Sequence, residues 1–238
     1  MSDHSLLSAW RKPSLGRRGF LWVSAASATS IALLATGCST STPAPIVVDP
    51  YQLVLPAGEK GLLYYTYLLA LSKSTLYQKV ADSPPSDLSA AERMLFSHMR
   101  DHEIVHRELL RYLIDNTRAN PVLPTDFVFN LNSFALTTRV GVLNAAQKLE
   151  DLAAAAYPPI LPLFTSSGTK ALLLKMSTVQ ARHAAAVRDL LVPGSFNDTT
   201  TVDLNGQLIT QTPTQVNAAL APFVVPYVLS VVALPTPL

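Results

Sequence analysis

Two stretches of the chain place polar residues inside an apolar seam, and both do so in the same register. Phe96, Met99, Glu103, His106, Leu110 and Leu113 follow one another at spacings of three and four. Leu173, Met176, Gln180, His183, Val187 and Leu190 repeat that pattern. Such spacings put all six residues of each set on one helix face, the face that packs into a bundle. A third set, Leu143, Ala146, Glu150, Ala153 and Tyr157, has the same rhythm. Acids and imidazoles buried in a seam are costly unless paired or metal-bound.

The pattern predicts four long helices. The first runs from about Glu59 to about Val80 and ends before Asp82-Ser83-Pro84-Pro85, since proline cannot continue it. Ser86 or Asp87 caps the second, which reaches about Asn116. The segment from Thr117 to Asn132 is too long for a tight turn and reads as a crossover along the bundle. A third helix is expected from near Ser133 to Tyr157, stopped by Pro158-Pro159, and a fourth from Ser167-Gly168 to about Leu191. Residues 193–238, rich in Thr, Pro and Val, read as an irregular extension on the bundle, with a short helix from Thr212-Pro213.

The start of the chain reads as an address. Arg17-Arg18-Gly19-Phe20-Leu21 opens a twin-arginine leader, and an apolar stretch leads to Ala35-Thr36-Gly37-Cys38. Small residues before the only cysteine resemble a bacterial lipobox, with Cys38 the lipidated first residue of the mature protein. Residues 1–37 are thus expected to be removed, and 38–57 to be a flexible tether on the periplasmic face of a membrane. Ser39 after the cysteine is compatible with the outer membrane. One cysteine excludes an internal disulfide. Both tryptophans, Trp10 and Trp22, precede Cys38, so a processed chain contains none.

Charge excludes more than it suggests. The formal charge is +2, but four basic residues and one acid precede Cys38, leaving 14 basic and 15 acidic residues beyond it. No basic face with interleaved aromatics is present, which argues against nucleic acid as a partner. Nor is there a Gly-x-Ser-x-Gly elbow, a Cys/His pairing or a glycine-rich phosphate loop.

Four helices, the long crossover between the second and third, and inward acid/imidazole dyads together resemble the ferritin-like superfamily. The nearer likeness is to its exported, desiccation-related branch. It rests on Arg100-Asp101-His102-Glu103-Ile104-Val105-His106, Phe127-Val128-Phe129, Leu149-Glu150-Asp151 through Ala156-Tyr157, and Ala181-Arg182-His183-Ala184. The implied fold is an all-α ferritin-like four-helix bundle over residues 58–192. The implied centre is a di-iron site, with a Glu from each of two helices and a Glu-x-x-His from each of the others. Glu103, His106, Glu150 and His183 match that set. Gln180 stands where the second dyad has its acid, and Ala70 and Lys73 where the first helix has its Glu. The site is therefore degenerate.

Three readings stay open. Glu103, His106, Glu150 and His183 hold one divalent ion, with Fe, Mn and Zn the chemically suited choices. Alternatively, no cofactor remains and Lys73 supplies the positive charge of a hydrogen-bonded network, the reading preferred here. In the third, the seam is shifted by a turn and these groups face water. Of the stripe His98, His102 and His106, only His106 is expected to point inward, with the other two at the core's edge or in water. Tyr64, Tyr65, Tyr67 and Tyr77 read as packing. The functional expectation is an exported, lipid-anchored, structural or stress-protective protein, a monomer or small oligomer. The alternative is a metal-binding oxidase or iron-handling protein.

Overall fold

The computed structural model describes residues 49–236. The leader, Arg17, Arg18, Cys38 and the tether up to residue 48 lie outside them. Four helices of 22 to 25 residues form the body: α1 (Gly58–Asp82), α2 (Ala90–Ile114), α3 (Arg139–Ile160) and α4 (Ser167–Leu191). They pack as two hairpins, α1 with α2 and α3 with α4, joined face to face through α1 and α3. A short α5 (Pro213–Leu220) follows, and two three-residue strands, β1 (Gln52–Val54) and β2 (Val228–Ser230), pair in parallel with Leu53 opposite Leu229. The fold is the expected all-α bundle.

Caps set the helix starts. Ser89 and Glu92 form a capping box at α2, each satisfying a backbone N–H of the first turn that lacks a helical partner. Glu92 also accepts from Arg139 Nε at 2.6 Å, tying the start of α2 to that of α3.

Helix α3 begins at Arg139, six residues later than expected from Ser133. Residues 131–138 form consecutive turns instead, with Phe134 N–H on Leu131 O and Thr138 N–H on Ala135 O. Thr138 then caps the helix by accepting from Gly141 N–H. Gly141 lies against Ala135 O so closely that a Cβ there would collide with it.

The other end of α3 also departs from expectation. Pro158 and Pro159 lie within the helix, which continues to Ile160. A proline inside a helix strands the carbonyl four residues back. For Pro159 that is Ala155 O, and it accepts instead from Gln211 N–H at 3.0 Å. The C-terminal extension thus satisfies the bond that the proline removes.

The extension is fixed elsewhere too. Asn130 N–H in the crossover donates to Phe223 O at 2.7 Å, and Tyr227 O–H to Asp126 at 2.6 Å. Residues 51–57, expected to belong to a flexible tether, are likewise held. They contain β1, and Leu55 is buried in the core. Among the described residues no helix is long and apolar enough to cross a membrane.

Candidate functional site

The seams meet in the middle of the bundle. Helix α1 contributes Lys73 and, one turn on, Tyr77. Helix α2 contributes Glu103 and His106, α3 Glu150, and α4 Gln180 and His183. Lys73, Glu103, Glu150 and Gln180 are at most 1% exposed, and His106 and His183 are 7% exposed. The shifted-seam reading, with these groups in water, is therefore wrong: the 3-4 spacing points them all inward.

Lys73 joins the two acids. Its Nζ donates to Glu150 Oε2 at 3.2 Å and forms an ion pair with Glu103 Oε1 at 3.0 Å. Tyr77 O–H donates to the other oxygen of Glu150 at 2.7 Å. Gln180 Nε2 lies 3.0 Å from Glu103 Oε1 and 3.1 Å from His106 Nδ1. His183 Nδ1 is 3.4 Å from one oxygen of each acid. Ala70, the other position where the likeness expected a carboxylate, is a buried methyl group in the core.

The charges explain one another. Burial alone would raise the Glu103 carboxyl, but the Lys73 ammonium and the nearby imidazoles of His106 and His183 hold it well below the usual carboxylate range. Burial would lower His183, but the Glu103 and Glu150 carboxylates beside its Nδ1 push it up to about 9. An imidazolium on His183 therefore stands beside both buried acids.

Two members were not expected. Tyr77, assigned to packing, is a donor to Glu150. Its position four residues after Lys73 is the signal that puts it on the same face. His102, placed at the core's edge or in water, is exposed, yet its Nδ1 lies 3.1 Å from His183 Nε2. No spacing along α2 announces that contact, because α4 brings it. His98 is exposed. Tyr65 is fully buried with an unpartnered hydroxyl, and Tyr64 and Tyr67 are half-buried against the core.

The profile of the ferritin-like domain matches residues 59–193, more than half of the chain. The chain belongs to the ferritin-like domain family. No curated protein matches it. The dinuclear centre implied by a ferritin-like fold does not fit the residues present. One acid position is the amide of Gln180 and another is Ala70, while the Lys73 ammonium stands between the two acids that remain. A neutral amide cannot bridge two cations as a carboxylate does. A single ion is a smaller demand: Glu103, Glu150 and His183 each offer a ligand atom, all within 4.8 Å of one another, and could hold one metal ion.

Proposed function

We propose that this ferritin-like chain is an exported, lipid-anchored protein of the bacterial envelope. In this reading its bundle serves a structural or stress-protective role, as in the desiccation-related branch it resembles, and catalyses no reaction. One observation carries it: Lys73 Nζ lies within 3.2 Å of both remaining acids. A fixed ammonium there supplies the charge that a metal would otherwise supply, and it cannot change oxidation state. The twin-arginine leader and Cys38 support the export route and the anchor, and the near-neutral remainder fits neither nucleic acid nor a polyanionic partner.

The test is elemental analysis of the purified full-length protein after dialysis, with aerobic addition of ferrous iron. The expected result is substoichiometric transition metal and an oxidation rate equal to the buffer blank. One tightly held ion per chain would overturn the reading.

A second reading has its own observation. Glu103 Oε2 and His183 Nδ1 are buried without a hydrogen-bond partner, and both residues belong to the group that could take an ion. A retained Fe, Mn or Zn ion would make the protein a mononuclear metal binder, and iron-dependent oxidation would make it an iron-handling enzyme.

A further inference from the structure

Helices α1 and α3 bury about twice as many residues as α2 and α4, because the crossover and the C-terminal extension lie over them. Gln211 N–H meets Ala155 O of α3, and Leu234 packs so near Gly61 of α1 that a Cβ there would collide with it. The covering layer is free of charged residues over 50–58, 127–138 and 204–236. Asp126, the acid at its edge, accepts from the Tyr227 hydroxyl. Yet the layer leaves large apolar side chains in the open: Tyr51, Val54, Val128, Val225, Val228 and Val232 are 44% to 86% exposed.

The local backbone turns these side chains outward. Leu53 and Leu229 are partners in the parallel pair and pack on the core, so Val54 and Val228 take the opposite, outer face of the two strands. Val128 stands between Phe127 and Phe129, both buried. Tyr227 ties the segments together, its ring 5.5 Å from that of Tyr51 and 5.3 Å from that of Phe127. An uncharged apolar patch of this kind marks a contact with an apolar partner. We propose that this face seats on a lipid bilayer when the acylated chain is anchored at Cys38.

The length of the chain before the strands selects that partner. The inference rests on the reading that Cys38 carries acyl chains. Asp49 is 11 residues beyond Cys38 and two before Tyr51, so the entry to this face stays within about 40 Å of the lipid even on a fully extended tether. Tethering gives the patch a high effective concentration at the surface, so it engages there although it is too small to hold a free protein. The missing charges set the mode of contact. Valines enter the apolar boundary, Tyr51 sits at the interface, and anionic headgroups add nothing. The α1–α3 side of the bundle is opposite the α2–α4 side, so His102, where α2 meets α4, is turned away from the bilayer.

The test uses the protein expressed with its leader, purified and reconstituted into vesicles. A processed chain has no tryptophan, so Val228→Trp reports on this face alone, and Val105→Trp reports on the outer side of α2, where Val105 is exposed. In phosphatidylcholine vesicles with brominated acyl chains, Val228→Trp is expected to lose roughly half of its emission, as a group about 5–10 Å into the headgroup boundary would. Val105→Trp is expected to lose almost none. Adding Val54→Glu and Val232→Glu to Val228→Trp should abolish the loss, with circular dichroism checking that the variant is folded. Quenching that requires phosphatidylglycerol, or that disappears in high salt, would overturn the apolar seat. Equal emission from the two positions in an acylated chain would sink this inference and leave the proposed anchor standing. An N-terminal peptide whose mass shows no acyl groups would sink both. Dimers in detergent that Val54→Glu and Val232→Glu dissociate would assign the face to a second copy of the chain and remove the bilayer from it.

Discussion

His183 Nε2 faces His102 Nδ1 at 3.1 Å, with ring centroids 5.3 Å apart and planes within 8° of each other. The nitrogen gap accounts for all of the centroid separation but the two ring radii, so the rings meet head-on and share one N–H. His183 is protonated on both nitrogens when it faces the acids through Nδ1, so it is the donor and His102 the acceptor. Burial and the neighbouring charges of His183 and His106 hold His102 below the usual histidine range, which suits it to accept. An exposed ring thereby becomes the outermost link of a buried network.

The stability of the bundle should fall on the alkaline side earlier than the lysines alone would dictate. The folded His183 titrates at about 9, above its ordinary value of 6.5. Its contribution is complete below about pH 6.5 and is lost as pH rises through 9. That difference corresponds to about 3 kcal/mol as an upper bound. Glu103, held low, works in the opposite direction: its contribution is present above its ordinary 4.5 and is lost as the solution is acidified. Thermal midpoints measured from pH 4 to 10 should be highest between 4.5 and 6.5, with a decline toward 9 that His183→Gln flattens. A profile level through pH 9 would contradict the assignment of an imidazolium.

Removing the Lys73 charge should be among the most damaging changes in the chain. Lys73→Met leaves Glu103 and Glu150 buried without their shared cation, and one-sided loss of a buried pair costs about 3–5 kcal/mol. The same variant clears a place between the carboxylates. Added Zn²⁺ or Mn²⁺ should therefore raise its urea midpoint while leaving the wild type unchanged. Equal stability of variant and wild type would remove Lys73 from the centre of the network.

How much of this was legible follows from which residues carry periodic signals. Phe96, Met99, Glu103, His106 and Leu110 are buried together, as are Leu173, Met176, Gln180, His183 and Val187, because a three-four rhythm leaves a helix one face to bury. The ends of α3 were less legible. The helix starts after Thr138, where Gly141 fits against Ala135 in a way that only the folded chain displays, and not near Ser133. Pro158-Pro159 reads as a stop until a remote N–H, that of Gln211, takes up the stranded carbonyl. His102 lies off the seam of its own helix, and only the approach of α4 gives it a role. Contacts of this tertiary kind leave no mark on local spacing.

Arg188 should prove to be the pin of the extension. It is 5% exposed, grips both oxygens of Asp151 on α3 at 2.7 and 2.8 Å, and also donates to Asp198 and Thr200. That planar fork cannot be reproduced by an ammonium. Arg188→Lys is expected to cost about 1–3 kcal/mol and to loosen residues 195–211 before the helices. Limited chymotrypsin digestion would read this out as early cleavage at Phe196 or Leu204, both exposed in a stretch without Lys or Arg. Cleavage beginning within α3 or α4 instead would show that Arg188 holds the helices rather than the extension.

The proposed anchor makes a prediction that separates lipid attachment from every other route to a membrane. On the proposed reading, the mature protein depends on the acyl chains at Cys38 for retention. Cys38→Ser should move the protein from the membrane fraction to the soluble fraction, or arrest it unprocessed. Tryptophan distinguishes these two outcomes, because Trp10 and Trp22 both precede Cys38. Processed wild type should show tyrosine emission alone, whereas a retained leader keeps tryptophan emission. A Cys38→Ser variant that stays in the membrane fraction without tryptophan emission would mean that the bundle itself binds the membrane. The lipid anchor would then have to be abandoned.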